Sequence, residues 1–389
     1  MLKLNRLFYY ESDPRSFNRV IEPTDDQKDT LKKARTAIRN HLREKIRHAT
    51  KTVLGMDKMV EPRFRTQGSW LYNTCIQPAH QPPQEMDWDF GVYLPVTVWT
   101  EKGPPHEMAK VYFDLVEDAL KDLCRTHGWT LDTSKDTCVR VKVASWAHID
   151  VPLYAAPQEK FEQVVERITL EARKAHGAYA DSIAFDESVE EMTAAFWEEM
   201  DDIHLATRNG EWKRSDSDAL AKWFLDQFEE HGPQLRRVCR YLKAWRDYHW
   251  EIDGPSSALL MVITAKSFKP VSRRDDIALE DAARNLSTSL MLDVYEPGVD
   301  GGEENFNRLK TNERQVAASL AGKLAATLHT ARHYGTNSAK HAIMDLRAQF
   351  GQRLPDDPQL IDPDDGTDTV RQTQPTKVPP PVVGASRSG

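Results

Sequence analysis

The stretch Met86-Asp87-Trp88-Asp89-Phe90-Gly91-Val92-Tyr93-Leu94 limits what this chain can fold into more than any other. Large apolar residues alternate with two carboxylates, the period of a β-strand with one face in a core. A side-chain period of two sends Asp87 and Asp89 out of the same face, about 7 Å apart along the chain. Two hard oxygen ligands so placed suit a pair of Mg²⁺ ions, one of them bridged. A second strand is expected in His148 to Tyr154, where Ile149 and Val151 bracket Asp150. An aspartate between Ile and Val is costly to bury uncompensated, and a metal ion compensates it.

Taken alone, an Asp-x-Asp pair is more often a solvated strand face, and Asp150 a strand end. Gly68-Ser69, upstream in Arg63-Phe-Arg-Thr-Gln67-Gly-Ser-Trp70, narrows the choice. Glycine lets backbone approach a phosphate closely, and free N–H groups with a serine hydroxyl cradle a triphosphate. A glycine-serine turn, an Asp-x-Asp strand and a third strand-borne Asp together point to nucleotide chemistry on metal ions.

Around this pattern the first part of the chain reads as mixed α/β. Thr24 and Gln27 are spaced as a capping box, and Leu31, Ile38, Leu42, Ile46 and Ala49 follow at helical spacing to about residue 52. Residues 106–125 read as a helix and Val139 to Val143 as a strand. After residue 158 the signals turn helical: 158–176, 217–230, 233–250, 255–268, 275–293, 309–333 and 337–350. In 309–333, Val316, Leu320, Leu324 and Leu328 are expected to form the buried stripe. From Leu354 the chain is rich in Pro, Asp, Ser and Gly, and 354–389 is expected to be disordered. The expected division is therefore 1–157, 158–353 and 354–389.

Charge and cysteine usage exclude several classes. The net charge is −8, without the basic stripe that tracks a long nucleic acid, whereas one triphosphate needs only a few cations. No apolar run is long enough to span a bilayer, and MLKLNRLFYYESD lacks a signal-peptide layout. Cys75, Cys124, Cys138 and Cys239 form no CxxC pair, so neither a disulfide framework nor a zinc site is indicated. The reading is a cytoplasmic protein with reduced thiols and no membrane contact. Arg236, Arg240 and Lys243 fall at i, i+4 and i+7, a basic stripe on one helix face. Ser256-Ser257, after Asp253-Gly254-Pro255, opens an apolar helix whose N-terminus, with Lys243, suits a phosphate.

Several blocks resemble the bacterial cGAS/DncV-like nucleotidyltransferases, in the cyclic-dinucleotide synthase subgroup. They are Phe64-Arg-Thr-Gln-Gly-Ser, Gln84-Glu-Met-Asp-Trp-Asp-Phe-Gly, His148-Ile-Asp-Val-Pro-Leu-Tyr-Ala, Val238-Cys-Arg-Tyr-Leu-Lys-Ala-Trp-Arg-Asp and Gly254-Pro-Ser-Ser. The resemblance implies an α+β fold: a polymerase-β-like core with a long N-terminal helix, then a helical lobe closing over the nucleotide. It implies Asp87, Asp89 and Asp150 as catalytic metal ligands for two Mg²⁺ ions, with Mn²⁺ as a substitute. Nucleotide contacts are implied at Gln67, Gly68, Ser69, Arg140, Ser215, Asp216, Lys243, Ser256 and Ser257. ATP and GTP are the implied substrates and 3′,3′-cGAMP the implied product, made in anti-phage (CBASS) defence. A cyclic-nucleotide-activated effector and a ubiquitin-like ligation enzyme acting at Gly389 are the implied partners. Another cyclic oligonucleotide, a template-independent or tRNA nucleotidyltransferase, and a non-catalytic nucleotide sensor stand as alternatives.

Overall fold

The computed structural model describes residues 1–96, 106–159, 162–163, 166, 203–214, 217–297 and 304–364. Its first elements are strand β1 (Leu2–Lys3) and two short helices, α1 (Asn5–Phe8) and α2 (Phe17–Ile21). Leu4, Leu7, Phe8, Phe17 and Ile21 are fully buried, and they share a core with residues from Ala221 onward. The expected unit 1–157 is corrected here: its first 21 residues pack with the helical lobe. Helices of four and five residues are too short to show a periodicity.

The chain then crosses to a second core through the capping box. Thr24 Oγ1 accepts from Gln27 N at 3.2 Å, and Gln27 Oε1 accepts from Thr24 N at 2.8 Å. These bonds start α3 (Asp25–Thr52), whose first turn also carries two acids against the helix dipole. Leu31, Ile38, Leu42, Ile46 and Ala49 are buried along its length, as their spacing requires.

Next come β2 (Arg63–Thr66), the turn helix α4 (Gly68–Leu71), β3 (Met86–Val96) and α5 (His106–His127). Strands β4 (Thr130–Asp132), β5 (Val139–Ala144), β6 (Ala147–Val151), β7 (Leu153–Pro157), β8 (His204–Ala206) and β9 (Trp212–Arg214) complete one mixed sheet. Its order is β4-β5-β6-β3-β7-β8-β9, with β2 also on β3. Both β6 and β7 run parallel to β3 in one continuing register. The strand expected over 148–154 is two strands because Pro152, having no N–H, interrupts the ladder; its carbonyl still accepts from Val92 N at 2.9 Å. The β8–β9 hairpin corrects the expectation that everything after 158 is helical. Its three-residue strands are too short for an alternating pattern, but Ala206 is buried in the sheet's core.

The second lobe contains α6 (Ser217–His231), α7 (Pro233–His249), α8 (Ser257–Ser267), α9 (Asp275–Ser289), α10 (Thr311–His333) and α11 (Ala339–Phe350). The buried face of α10 is Ala317, Ala321, Leu324, Ala325, Leu328 and Ala331, while Val316 is 53% exposed. Alanines bring α10 close to α9, because interaxial distance follows the side chains at the contact. The tail expectation is corrected too: Leu354 and Leu360 are fully buried. Strand β10 (Asp362–Pro363) pairs with β1, and Arg274 holds Asp364 at 2.8 Å. Two leucines outweigh the polar composition around them. Residues 365–389, including Gly389, lie outside the described residues, as does most of 158–176. Among the described residues no helix is long and apolar enough to cross a membrane.

Candidate active site

Two rungs of the sheet carry the site. Asp87 on β3 is registered with His148 on β6, and His148 with Lys142 on β5. On the next rung Asp89, Asp150 and Arg140 line up across the same strands. Residues two apart on a strand share a face, so six ionisable side chains meet on one surface. Arg140 closes on Asp150 through two bonds, Nε to Oδ1 and Nη2 to Oδ2, each 2.7 Å. The side chain expected to contact a nucleotide therefore clamps a carboxylate.

The glycine-serine turn is strapped over β3. Gln67 N donates to Asp89 O at 2.9 Å, Trp70 Nε1 donates to Asp87 O at 3.0 Å, and Trp70 stacks on Trp88 at 4.2 Å. Gly68 has φ +60°, and a Cβ there would stand 2.1 Å from Asp89 Oδ2. No other residue type fits this approach without moving the carboxylate. Gln67 does not reach the site as expected: its amide donates to Tyr93 OH at 2.9 Å and accepts from Tyr154 OH at 3.3 Å.

Facing these carboxylates across a cavity of about 530 Å³ are Lys243, Arg246 and Ser257, while Gly68, Ser69, Asp87 and Asp89 line the near side. Lys243 is buried, with Nζ donating to Thr74 O at 2.8 Å, and burial first, then Arg246, holds its pKa below the ordinary lysine value. An ammonium has three donors, so others remain for an anion. Arg246 Nη2 donates to Ser257 Oγ at 3.0 Å. Ser256 is the N-cap of α8, accepting from Leu259 N at 3.1 Å, and is absent from the cavity wall. The basic stripe does not act as a unit. Arg240 pairs with Glu22 at 2.7 Å and bonds Asn73 O, and Arg236 lies over Phe228. Ser215 and Asp216 lie outside the described residues.

The electrostatics call for a cation. Burial, then the charges of Asp87 and Asp150, push the Asp89 carboxyl up to about 8, despite His148 and Arg140 nearby. Asp87 Oδ1 lies 3.2 Å from His148 Nε2, and although burial lowers the His148 pKa, the hydrogen bond and charge of Asp87 carry it above the ordinary value. Atoms of Asp87, His148 and Asp150 lie within 4.8 Å of one another. Three convergent carboxylates that share one arginine and one histidine fit a divalent metal ion. His148 was not singled out from the sequence; its place two residues before Asp150 on a predicted strand was the available signal.

Strand-borne aspartates beside a close glycine-serine turn, facing a basic cavity wall, define a nucleotidyltransferase. Residues 62–154 match the nucleotidyltransferase domain of DncV-like cyclic GMP-AMP synthases, and residues 232–363 match the C-terminal domain of cyclic GMP-AMP synthase. An Escherichia coli cyclic GMP-AMP synthase is 40% identical over 76% of this chain and 68% of its own length. The Vibrio cholerae O1 cyclic GMP-AMP synthase is 35% identical over 75% and 68%. The crystal structure of Vibrio cholerae DncV with the linear intermediate 5′ pppA(3′,5′)pG superposes with TM-score 0.73 and 27% identity. That match covers 92% of this chain and 98% of that one. The chain belongs to the DncV-like cyclic GMP-AMP synthase family.

Proposed function

We propose that this enzyme joins ATP and GTP into 3′,3′-cGAMP. The observation that carries the reading is one cavity with Asp87 and Asp89 on one wall and Lys243, Arg246 and Ser257 on the other. The relatives named above are cyclic GMP-AMP synthases, and one binds a linear adenosine-guanosine intermediate.

In this reading Gly68 and Ser69 cradle the donor phosphates from below, while Lys243 and Ser257 hold the triphosphate tail from the helical side. Asp87, Asp89 and Asp150 hold two Mg²⁺ ions, with Mn²⁺ as a substitute. Bound there, the ions supply Lewis acidity to the attacking hydroxyl and to the departing pyrophosphate. The acceptor 3′-oxygen bonds to the α-phosphorus, the α–β anhydride breaks, and the hydroxyl proton passes to the carboxylate face, with Asp150 as acceptor. Arg140 keeps Asp150 aimed at that oxygen, and Ser215 with Asp216 contact a base. The linear product then rebinds with its ends exchanged, and a second transfer closes the ring. The helical lobe closes over the nucleotide in this cycle. Anti-phage signalling, a product-gated effector and a ligation enzyme acting at Gly389 belong to the same reading. Conjugation that survives deletion of Gly389 in the native operon removes that last partner.

The test is incubation of the purified protein with all four NTPs and Mg²⁺, phosphatase treatment and mass spectrometry of what survives. A cyclic AMP-GMP species is expected. Another cyclic product overturns the base assignment and keeps the chemistry; no product with Mg²⁺, Mn²⁺ or candidate activators overturns the reading.

A further inference from the structure

Residues 73–84 join the turn helix α4 to β3, and so connect the glycine-serine turn to the strand that carries Asp87. Pro78, Pro82 and Pro83 leave three of these positions without an N–H, so a strand ladder does not anchor the segment. Side chains anchor it to α7 instead. Arg240 and Lys243 hold its start, at Asn73 O and Thr74 O. Arg353 bridges Gln77 O and Ala244 O at 2.6 and 2.7 Å. At the far end Gln84 Oε1 accepts from Ala79 N and His80 N at 3.0 and 3.1 Å. Its Nε2 donates to Asp247 O at 2.9 Å and to Trp250 O at 2.7 Å. Beside it His80 Nε2 stands 3.1 Å from Tyr248 O. These three carbonyls lie at the end of α7, where a helix leaves its last carbonyls unpaired. An amide offers two donors and two acceptor sites, so Gln84 has no bond to spare for a substrate, although it lines the cavity.

We propose that Gln84 is a positioning residue for nucleotide transfer, setting the separation between Asp87 and the phosphate-binding end of α7. One end of its amide fixes the loop that runs directly into β3. The other fixes the helix turn that follows Lys243 and Arg246. The cavity's two walls belong to different lobes, β3 packing in one core and α7 in the other. Packed elements slide past one another by small shears, and the four bonds of this amide oppose that slide at the edge nearest the carboxylates. A misplacement of about 1 Å between reacting groups costs about 100-fold in rate. The inference rests on the proposed function, which assigns the α7 wall to the triphosphate.

The test uses the full chain and Gln84→Glu, which retains the acceptor bonds to the loop and loses both donors to α7. Calorimetry with a non-hydrolysable ATP analogue and Mg²⁺ is expected to show binding weakened about 10-fold. The kcat for cyclic product is expected to fall further, about 100-fold. In an Arg246→Ala background the same change is expected to add little to either loss, because both substitutions act on one wall. His80→Ala removes the neighbouring bond to Tyr248 O and is expected to show smaller losses with the same non-additivity. It replaces Gln84→Glu in the cycle if circular dichroism finds that variant unfolded. A lower thermal midpoint with affinity and kcat per folded molecule unchanged makes Gln84 structural only and overturns the proposal. Losses fully additive with Arg246→Ala overturn it too. The binding cycle is read without turnover, so it reports on Gln84 even if the unaltered chain forms no cyclic product. A fully active Gln84→Glu, conversely, leaves the proposed function standing.

Discussion

The molecule buries aspartates in two places and treats them in opposite ways. In the helical lobe Asp275 and Asp276 are 1% and 0% exposed. Asp275 accepts from Gln234, twice from Arg237 and from Tyr241 OH; Asp276 accepts twice from Arg274 and from Leu4 N. Every oxygen is satisfied. On the sheet, Asp87, Asp89 and Asp150 share one arginine and one histidine, three carboxylates on two cationic partners. The first network ties the N-terminus and the end of the described chain to α9, through Leu4 and Asp364. The second leaves charge unbalanced where a ligand enters. A buried carboxylate is structural when its partners come from the chain and functional when one is missing.

The largest expected effect comes from removing the unbalanced charge. The Asp87→Asn/Asp89→Asn double variant is expected to lose more than about 10³-fold in nucleotide transfer. Its thermal midpoint without divalent ions is expected to equal or exceed that of the unaltered chain, because functional sites are commonly held against stability. Retained turnover, or a large loss of stability, breaks the contrast between the two regions. The converse change is Asp276→Ala, which leaves the buried Arg274 with Asp364 as its remaining carboxylate. Breaking a buried pair costs about 3–5 kcal/mol, read by urea unfolding, with transfer per folded molecule preserved. A neutral result removes the structural half of the comparison.

The difference between the regions also explains what the sequence discloses. Asp87, Asp89 and Gly68 stand in local patterns, a period of two and a turn glycine, and such patterns survive in one dimension. Gly68-Ser69 was legible as a phosphate-cradling turn, but its close approach to Asp89 was not. Lys243 and Ser257, fourteen positions apart, were legible as two helix signals, and both line the cavity. Pairings across the fold were not legible. Arg140 pairs with Asp150 because β5 runs antiparallel to β6 in one particular register, which neither segment encodes alone. The burial of residues 2–21 and 354–363 in one lobe depends on their meeting as β1 and β10, and local composition there argued the other way. His148 was visible as a letter, but its contact with Glu85, sixty-three positions away, was not.

Ligand linkage sharpens the comparison from the other side. If the sheet carboxylates lack a cation, supplying one should stabilise the fold. At about 100 times its dissociation constant, Mn²⁺ is expected to add about 2.7 kcal/mol. Differential scanning fluorimetry reads this as a rise in midpoint that is absent in the Asp87→Asn/Asp89→Asn variant and unchanged in Asp276→Asn. An equal rise in all three proteins assigns the effect to nonspecific binding.

The smallest expected effect lies at the junction of the two lobes. Thr24 closes its capping box where the chain leaves the helical core for the sheet core, through exposed bonds of 2.8 and 3.2 Å. Thr24→Ala removes the hydroxyl that satisfies Gln27 N and is expected to cost about 1 kcal/mol. Thr24→Ser retains the oxygen and is expected to stay within a few tenths of the unaltered chain. Neither change touches the carboxylate face, so transfer rates should be the same in both. Paired urea unfolding and turnover measurements check this. A Thr24→Ala variant that lost activity at full folding would show that α3's entry angle is transmitted to β3, and that the lobes are coupled more tightly than their separate cores imply.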